Sequence, residues 1–289
     1  MRNVEGVNQE LELFSVIILL YNNAQYVQEC LDSVFNQKYP NIEIIIVDDG
    51  SKMFNQDGIQ KYIEDNKKQN ITNIIVYQNE KNVGTVKSAN GAIKKSTGNY
   101  IKLIAADDAL YNKDSLLQAA KALNISPCGI VTGDVMNCDQ NLNPLGKYNK
   151  GLPEKINDLS PEEVFRRLCI HNNLVAGGFF FKRIFFEEYG LYDESYKLME
   201  DWPTWLYITK RGCKIFYSPF YAIKYRSNGG IGTSMNPIYM ADKKRVLDTV
   251  IIPAKSEIGP VYYIAARLSY FFINSDLVRK LYGKLFRNN

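Results

Sequence analysis

Short, almost wholly apolar runs punctuate the first half of this chain, and they restrict its fold more than any other feature. "FSVIILL" (14–20), "IEIIIV" (42–47), "NIIVY" (73–77), "YIKLIA" (100–105) and "GIVTG" (129–133) are rich in β-branched residues and lack the polar alternation of a sheet with one wet face. A strand that is apolar on both faces must be covered on both. Helical patterns lie between them. Val27, Cys30, Leu31, Val34 and Phe35 recur at helical spacing after Asn22 and Asn23, either of which can cap the first turn. The stretch from Lys87 to Thr97 reads as a second helix stopped by Gly98. Repetition of strand, helix and strand predicts an α/β fold with a Rossmann-like, mostly parallel sheet flanked by helices.

The pattern changes after Asp139 to the turn-rich "QNLNPLGKYNKGLPEKIND". Ser160, Pro161 and Glu163 then form a capping box for a helix running to about Cys169. "GGFFFKR" comes next, then a helix near "DWPTWLYITKRG", two strand-like segments, "KIFYS" and "AIKYR", a glycine-rich loop "SNGGIGTSMNP", and two carboxy-terminal helices.

The residues just past the strands carry the chemistry. In open parallel sheets, ligands lie beyond the carboxyl ends of the strands, where loops reach inward from a rigid support. Tyr21 and Asn22 come after the first strand, Asp48 and Asp49 after the second, Asp107 and Asp108 after the fourth. A lone Asp there is usually a cap or a solvated turn, but two Asp-Asp pairs at equivalent places point to a site. Clustered carboxylates need a cation, and hard oxygen ligands select Mg²⁺ or Mn²⁺. The chain has no GxxxxGK[ST] loop and no GxGxxG after its first strand, so a metal bridging Asp108 to phosphates would hold a diphosphate in their place. Asp48 would then read a base edge, with Tyr21 stacked beneath the base.

Composition narrows the partners. A net charge of +4 without a long basic block argues against nucleic acid. Five scattered cysteines without CxxC spacing argue against a disulfide framework and a zinc site, and fit a reducing compartment. An acidic, polar amino terminus and the lack of a long apolar run read as a cytoplasmic protein, and Asn70-Ile-Thr and Asn124-Ile-Ser are then chance glycosylation triplets.

"FSVIILLYNNAQYVQECLDSVFNQKYPNIEIIIVDDGS", "NVGTVKSANGAIKKSTGNYIKLIAADDAL" and "GLYDESYKLMEDWPTWL" together resemble the family 2 inverting glycosyltransferases, over roughly residues 13 to 235. The resemblance implies the GT-A (nucleotide-diphospho-sugar transferase) fold, and transfer of a sugar from a nucleoside diphosphate donor to a hydroxyl with a divalent metal. It makes Tyr21 and Asp48 nucleobase contacts, Asp107 and Asp108 the metal and diphosphate end, and Asp201 of "MEDW" the general base. Glu200 and Trp202 then stand on the acceptor side, and burial against Trp202 and Trp205 would raise the Asp201 pKa. The chain departs from the family pattern in three places. Ala105 stands where an acid often completes Asp-x-Asp. Ala89 replaces an Arg, leaving Lys87 to neutralise phosphate. Ser227 and Asn228 replace a His, leaving Arg226 and the glycine loop to close over the diphosphate. His171, the one histidine, reads as structural or acceptor-side. The other classes weighed are a nucleotide-sugar-binding protein without transfer, and a nucleotidyltransferase.

The expected division is a catalytic domain at 1–235, with a nucleotide-sugar half near 13–135 and an acceptor half near 136–235, and a helical extension at 236–289. From Val261 onward Arg267, Arg279, Lys280, Lys284 and Arg287 face a single acid, Asp276, among interleaved aromatics. Such a helix suits either the inner face of an anionic membrane carrying a lipid-linked glycan acceptor, or packing on the catalytic domain or on a second copy. The biological setting implied by the resemblance is bacterial surface-polysaccharide assembly with a nucleotide-sugar donor, UDP-sugar favoured.

Overall fold

The structure, a computed structural model, describes residues 11–148, 151–227 and 236–274. The five apolar runs form β1 (Phe14–Leu20), β2 (Ile42–Asp48), β3 (Ile71–Gln78), β4 (Tyr100–Ala105) and, after a two-residue β5 (Ala109–Leu110), β6 (Ile130–Cys138). Alternating with them are α1 (Val27–Phe35), α2 (Gln56–Asn66), α3 (Thr85–Lys95) and α4 (Ser115–Ile125). The second half adds β7 (Pro144–Lys147), the short α5 (Leu152–Lys155), α6 (Pro161–Ile170), β8 (Phe179–Lys182), α7 (Arg183–Tyr189), α8 (Asp201–Lys210), β9 (Phe216–Arg226), α9 (Pro237–Val246) and α10 (Lys255–Asn274).

The strands join one sheet in the order β3-β2-β1-β4-β8-β6-β9-β5, with β7 on β6. β3, β2, β1 and β4 are mutually parallel, β8 runs against them, and β6 and β9 are parallel to each other. Successive residues of β1 and β2 feed opposite cores. Ile17, Ile45 and Val47 pack with α3, α6 and α8, whereas Val16, Ile18, Ile44 and Ile46 pack with α1, α2 and α4. That two-sided burial is why the runs carry no polar alternation. Strand order reverses at β1, since β2 and β3 lie to one side and β4 to the other, so the ligand crevice of such a sheet falls at the carboxyl ends of β1 and β4.

Four local expectations differ from the structure. "KIFYS" and "AIKYR" are one strand, β9. Pro219 sits exposed inside it where the register against β6 shifts, a bulge being the one place a strand interior tolerates a residue with no N–H to give. Asn23 does not cap a helix through its side chain; its amide is used elsewhere, and a 3₁₀ turn (Ala24–Tyr26) precedes α1. Only half of the capping box forms. Ser160 Oγ accepts from Glu163 N at 3.2 Å, while Glu163 pairs with Arg167 at 3.0 Å and accepts from Tyr262 OH at 2.7 Å.

That last bond belongs to the carboxy-terminal helices. Instead of two, there are three segments, because α10 breaks at Gly259 (φ 79°), just before Pro260. Ile258 and Ala266 are buried in the core shared by α6 and α8, so the described part of the extension packs on the rest of the chain.

Gly84 shows how closely the loops at the sheet edge are fitted. Its φ is +93°, and a Cβ there would lie 2.5 Å from the Lys197 carbonyl oxygen. Gly84→Ala is expected to destabilise the protein by ~2 kcal/mol or more, through backbone strain plus a clash that only main-chain movement relieves. Urea denaturation measures it, and a loss under ~0.5 kcal/mol would contradict this fit.

Candidate active site

Three strand ends are laced together by short polar side chains. Leu20 and Asp48 are in register, so β1 and β2 end level. Asp48 has no exposed surface, and its carboxylate accepts from Ser51 N (2.7 Å), Ser51 Oγ (2.5 Å) and Gln78 Nε2 (2.8 Å). Ser51 Oγ in turn accepts from the N–H of Asn22, which sits in the left-handed region at φ 54°. The next residue, Asn23, accepts from Tyr21 N at 3.0 Å and donates to Asp107 Oδ1 at 3.1 Å, tying β1 to the turn after β4. Above this network the Tyr21 side chain stands exposed.

Asp49, read as one of four converging acids, turns away from the crevice. Its oxygens accept from Val83 N (2.9 Å), Gly84 N (2.8 Å) and Asn79 Nδ2 (3.0 Å), which shapes the loop leading into α3. Lys87 is exposed on the first turn of α3, and among the described residues no hydrogen bond or ion pair joins it to the strand-end network.

The Asp107-Asp108 turn is held from the far side by the end of β9. Arg226 N donates to Asp108 Oδ1 at 3.0 Å, and Arg226 Nε to the Asp107 carbonyl at 2.8 Å. The guanidinium also pairs with Glu29 at 2.5 Å and lies 4.3 Å from the Tyr26 ring centre. Only 3% exposed, Arg226 is committed inward and positions the acid turn; the expectation that it closes over a diphosphate is corrected on that ground. Asn228 and the glycine loop lie outside the described residues.

Asp108 is almost wholly buried, and its carboxyl is pushed up to about 8, first by burial and then by Asp107, against the opposing pull of Arg226 and Lys102. Lys102 is a residue that sequence reasoning missed. Inside the apolar "YIKLIA" it is fully buried, with its ammonium donating to the carbonyls of Gly177 and Phe179 and lying 4.3 Å from the Phe180 ring centre. Burial pulls its pKa down to about 7, while the Asp108 charge opposes the fall. A lone lysine in an otherwise apolar strand was the available signal.

Asp107 and Asp108 offer hard carboxylate oxygens, and among the described residues Asp108 Oδ2 accepts no hydrogen bond. A buried acid whose charge its cations compensate only in part suits a Mg²⁺ or Mn²⁺ that keeps waters and shares donor phosphates. At the third position Ala105 contributes only its carbonyl, bonded to Asp108 N. No group of three or more His, Cys, Asp or Glu side chains gathers among the described residues.

The second acidic pair opens α8. Asp201 Oδ2 accepts from Asn172 Nδ2 at 2.8 Å. Burial raises its pKa, opposed by the Trp202 N–H and Asn172, and the neighbouring Glu200 is pushed up to about 8 by burial and by Asp201. The two adjacent, partly buried acids titrate as a pair that holds a proton more tightly than solvated carboxyls do. Trp202 faces inward, 6% exposed, with Nε1 donating to the Leu168 carbonyl at 2.8 Å; it anchors α8 on α6 and presents no acceptor face. Trp205 is stacked on Phe179 with ring centres 4.0 Å apart.

A row of tyrosines links the two acidic ends. Burial and then Asp108 raise the Tyr225 pKa; its ring meets Tyr148 edge-on at 5.1 Å; and burial and then Asp201 push Tyr239 up to about 12. Asp108 thus lies near Tyr225 and Asp201 near Tyr239, with Tyr148 close to both rings.

Residues 15–190, more than half of the chain, match the family model described as glycosyl transferase family 2. The chain belongs to that family. It is thus a transferase, and its curled, mostly parallel sheet is the GT-A fold. An uncharacterized glycosyltransferase of Haemophilus influenzae is 27% identical, over 77% of this chain and 68% of its own length. One of Rickettsia typhi is 31% identical, over 67% of this chain and 57% of its own length, so the chain spans only part of these relatives. Among solved structures, S. aureus TarS 1-349 in complex with UDP-GlcNAc superposes with a TM-score of 0.62 at 19% identity, over 92% of this chain and 77% of that one. Members of glycosyl transferase family 2 commonly use a divalent metal.

Proposed function

We propose that this glycosyltransferase moves a sugar, with inversion, from a nucleoside diphosphate donor, UDP-sugar favoured, to a hydroxyl of a glycan or lipid-linked acceptor in bacterial surface-polysaccharide synthesis. The observation that carries the proposal is a buried acid turn after β4 together with a partly buried acid of raised pKa at the start of α8, joined through Tyr225, Tyr148 and Tyr239. Tyr21 gives a base its platform. Asp48 borders that platform through Ser51 and reaches a base edge by exchanging its Ser51 hydroxyl bond for a base N–H. Asp107 and Asp108 hold the diphosphate end, where a bound Mg²⁺ or Mn²⁺ supplies charge neutralisation for the leaving group. Lys87 reaches toward phosphate from the α3 terminus.

Asp201 acts as the base. The acceptor hydroxyl oxygen forms the new bond to the anomeric carbon, the carbon–oxygen bond to the diphosphate breaks, and Asp201 takes the hydroxyl proton. Glu200, keeping its own proton, leaves Asp201 as the ionised partner, and burial makes that carboxylate a stronger base than a solvated one. The UDP-GlcNAc bound by TarS supports a uridine donor class for this fold. Incubation with a panel of UDP-sugars and Mn²⁺ is expected to release nucleoside diphosphate, slowly by hydrolysis and faster with an acceptor. Release of pyrophosphate would instead make the chain a nucleotidyltransferase, and tight donor binding without any release would make it a binding protein.

The catalytic domain at 1–235 and the extension at 236–289 are proposed as working units. No helix among the described residues is long and apolar enough to cross a membrane. Peripheral contact at the inner face of the membrane, in a cytoplasmic setting, is proposed from α10. While Ala266 packs inward, Val261, Ile264 and Leu268 stand exposed at helical spacing on its outer face. Anionic liposomes are expected to float the full chain and not Val261→Ser/Ile264→Ser/Leu268→Ser. Equal flotation would remove the membrane role, and concentration-dependent dimerisation lost in the triple variant would assign the face to a second copy.

A further inference from the structure

Beside the candidate base lies a cavity that the donor reading leaves unused. Its volume is about 260 Å³, and Leu152 and Lys155 of α5, Arg167 and Ile170 of α6, and His171 and Asn173 of the loop after α6 line it. The two loop residues flank Asn172, whose amide holds the Asp201 carboxylate. The cavity therefore borders the strut that aims Asp201.

Its chemistry is one-signed. No carboxylate lines it, whereas Lys155, Arg167 and His171 do. Lys155 is exposed and makes no hydrogen bond or ion pair among the described residues. Arg167 gives its Nε to Glu163 at 3.0 Å, so that acid neutralises part of its charge and leaves the other guanidinium nitrogens for a ligand. On the far side of His171, Lys243 of α9 lines a separate small pocket with Trp202 and Tyr270. Two cations from different helices, Lys155 and Arg167, with the His171 imidazole and the Asn173 side-chain amide beside them, offer an anion several donors around a small space. Drug-sized ligand pockets run to ~300–1,000 Å³, so this cavity suits a single small group and not a whole acceptor.

We propose that this cavity is an acceptor subsite for a phosphoryl group, which seats the acceptor so that a neighbouring hydroxyl reaches Asp201. The assignment to the acceptor rests on the transferase reading above; the binding of phosphate does not. Burial and then Lys243 hold the His171 pKa below the ordinary histidine value, so an anion beside the ring would reverse part of that fall.

His171 is the one histidine of the chain, and its imidazole signal in a ¹H–¹⁵N NMR titration reports this cavity without ambiguity. Inorganic phosphate added to the full-length protein is expected to raise the His171 midpoint, saturably, by about half a pH unit or more. Sodium chloride at matched ionic strength is expected to give a smaller response that does not saturate. Lys155→Ala, a surface change, is expected to abolish the saturable response, and Lys155→Arg to keep it. A response no different from chloride, or one that persists in Lys155→Ala, overturns the site. A saturable response to glucuronate with none to phosphate overturns the phosphoryl assignment. Transfer assays are separate, since phosphate binding in a protein that fails to transfer sugar would retain the anion site and refute only the acceptor role.

Discussion

Asp201→Asn is expected to lower sugar transfer by about 10²–10⁴-fold while leaving donor affinity within a few-fold, because a general base contributes in that range and Asp201 stands apart from the strand ends proposed to hold the donor. Asn keeps the shape and can still meet the Asn172 amide through its own oxygen, so folding is expected to survive. Glu200→Gln separates the two acids. If Glu200 holds the shared proton, its neutral replacement costs little, and transfer is expected to fall by less than about tenfold. The pH profile adds a readout that a structural role would not move. Asp201 must be ionised to accept a proton, so activity rises with pH through its pKa, and burial places that limb above the ordinary aspartate range. Isothermal titration with UDP and Mn²⁺ reports donor affinity, and discontinuous product assays report transfer. Undiminished transfer by Asp201→Asn removes this residue from the chemistry; equal losses in Asp201→Asn and Glu200→Gln move the base to the pair.

The sheet was legible because the central strands β1 and β2 are apolar on both faces, a pattern that needs no tertiary information. The strand-end acids were legible as a group, since topology alone places them on one edge. Individual duties were not. Asp48 and Asp49 are adjacent, yet one ties two strand ends through Ser51 and the other gathers the amides of Val83 and Gly84. Arg226 looked like a phosphate clamp from its place beside the glycine-rich loop, but Glu29 and Tyr26, about two hundred residues earlier, draw it inward. Trp202 and Lys102 depend on partners of the same kind, the carbonyls of Leu168, Gly177 and Phe179, which local sequence does not announce. β9 reads as two segments in sequence because the register shift that carries Pro219 against β6 is a property of the pairing.

Asp108→Asn is expected to do two opposite things at once. Without metal or donor, the wild-type Asp108 carboxyl is pushed up to about 8 by burial and by Asp107. In the unfolded chain the same group titrates as an ordinary aspartate, so below about pH 4 it is protonated in both states and leaves stability unchanged. As pH rises from there, the unfolded state ionises first, and stability falls until the folded group ionises near pH 8, beyond which the loss is constant. Asn retains an acceptor for the Arg226 N–H and carries no charge, so it lacks this slope. Thermal melts of the variant without metal are therefore expected to lie above wild type, by an amount that grows between about pH 4 and pH 8 and corresponds to about 1–3 kcal/mol at the upper end, part of the full linkage being lost to relaxation. Transfer is expected to fall by at least about 10²-fold, together with the stabilisation that Mn²⁺ and UDP give wild type, because the charge that is costly in the empty protein is the one the donor end of the site uses. A variant that gains stability and still responds to Mn²⁺ and UDP would place metal binding on Asp107 alone, and one that loses stability at about pH 8 would mean that the buried carboxylate is better compensated by Lys102 and Arg226 than its raised pKa implies.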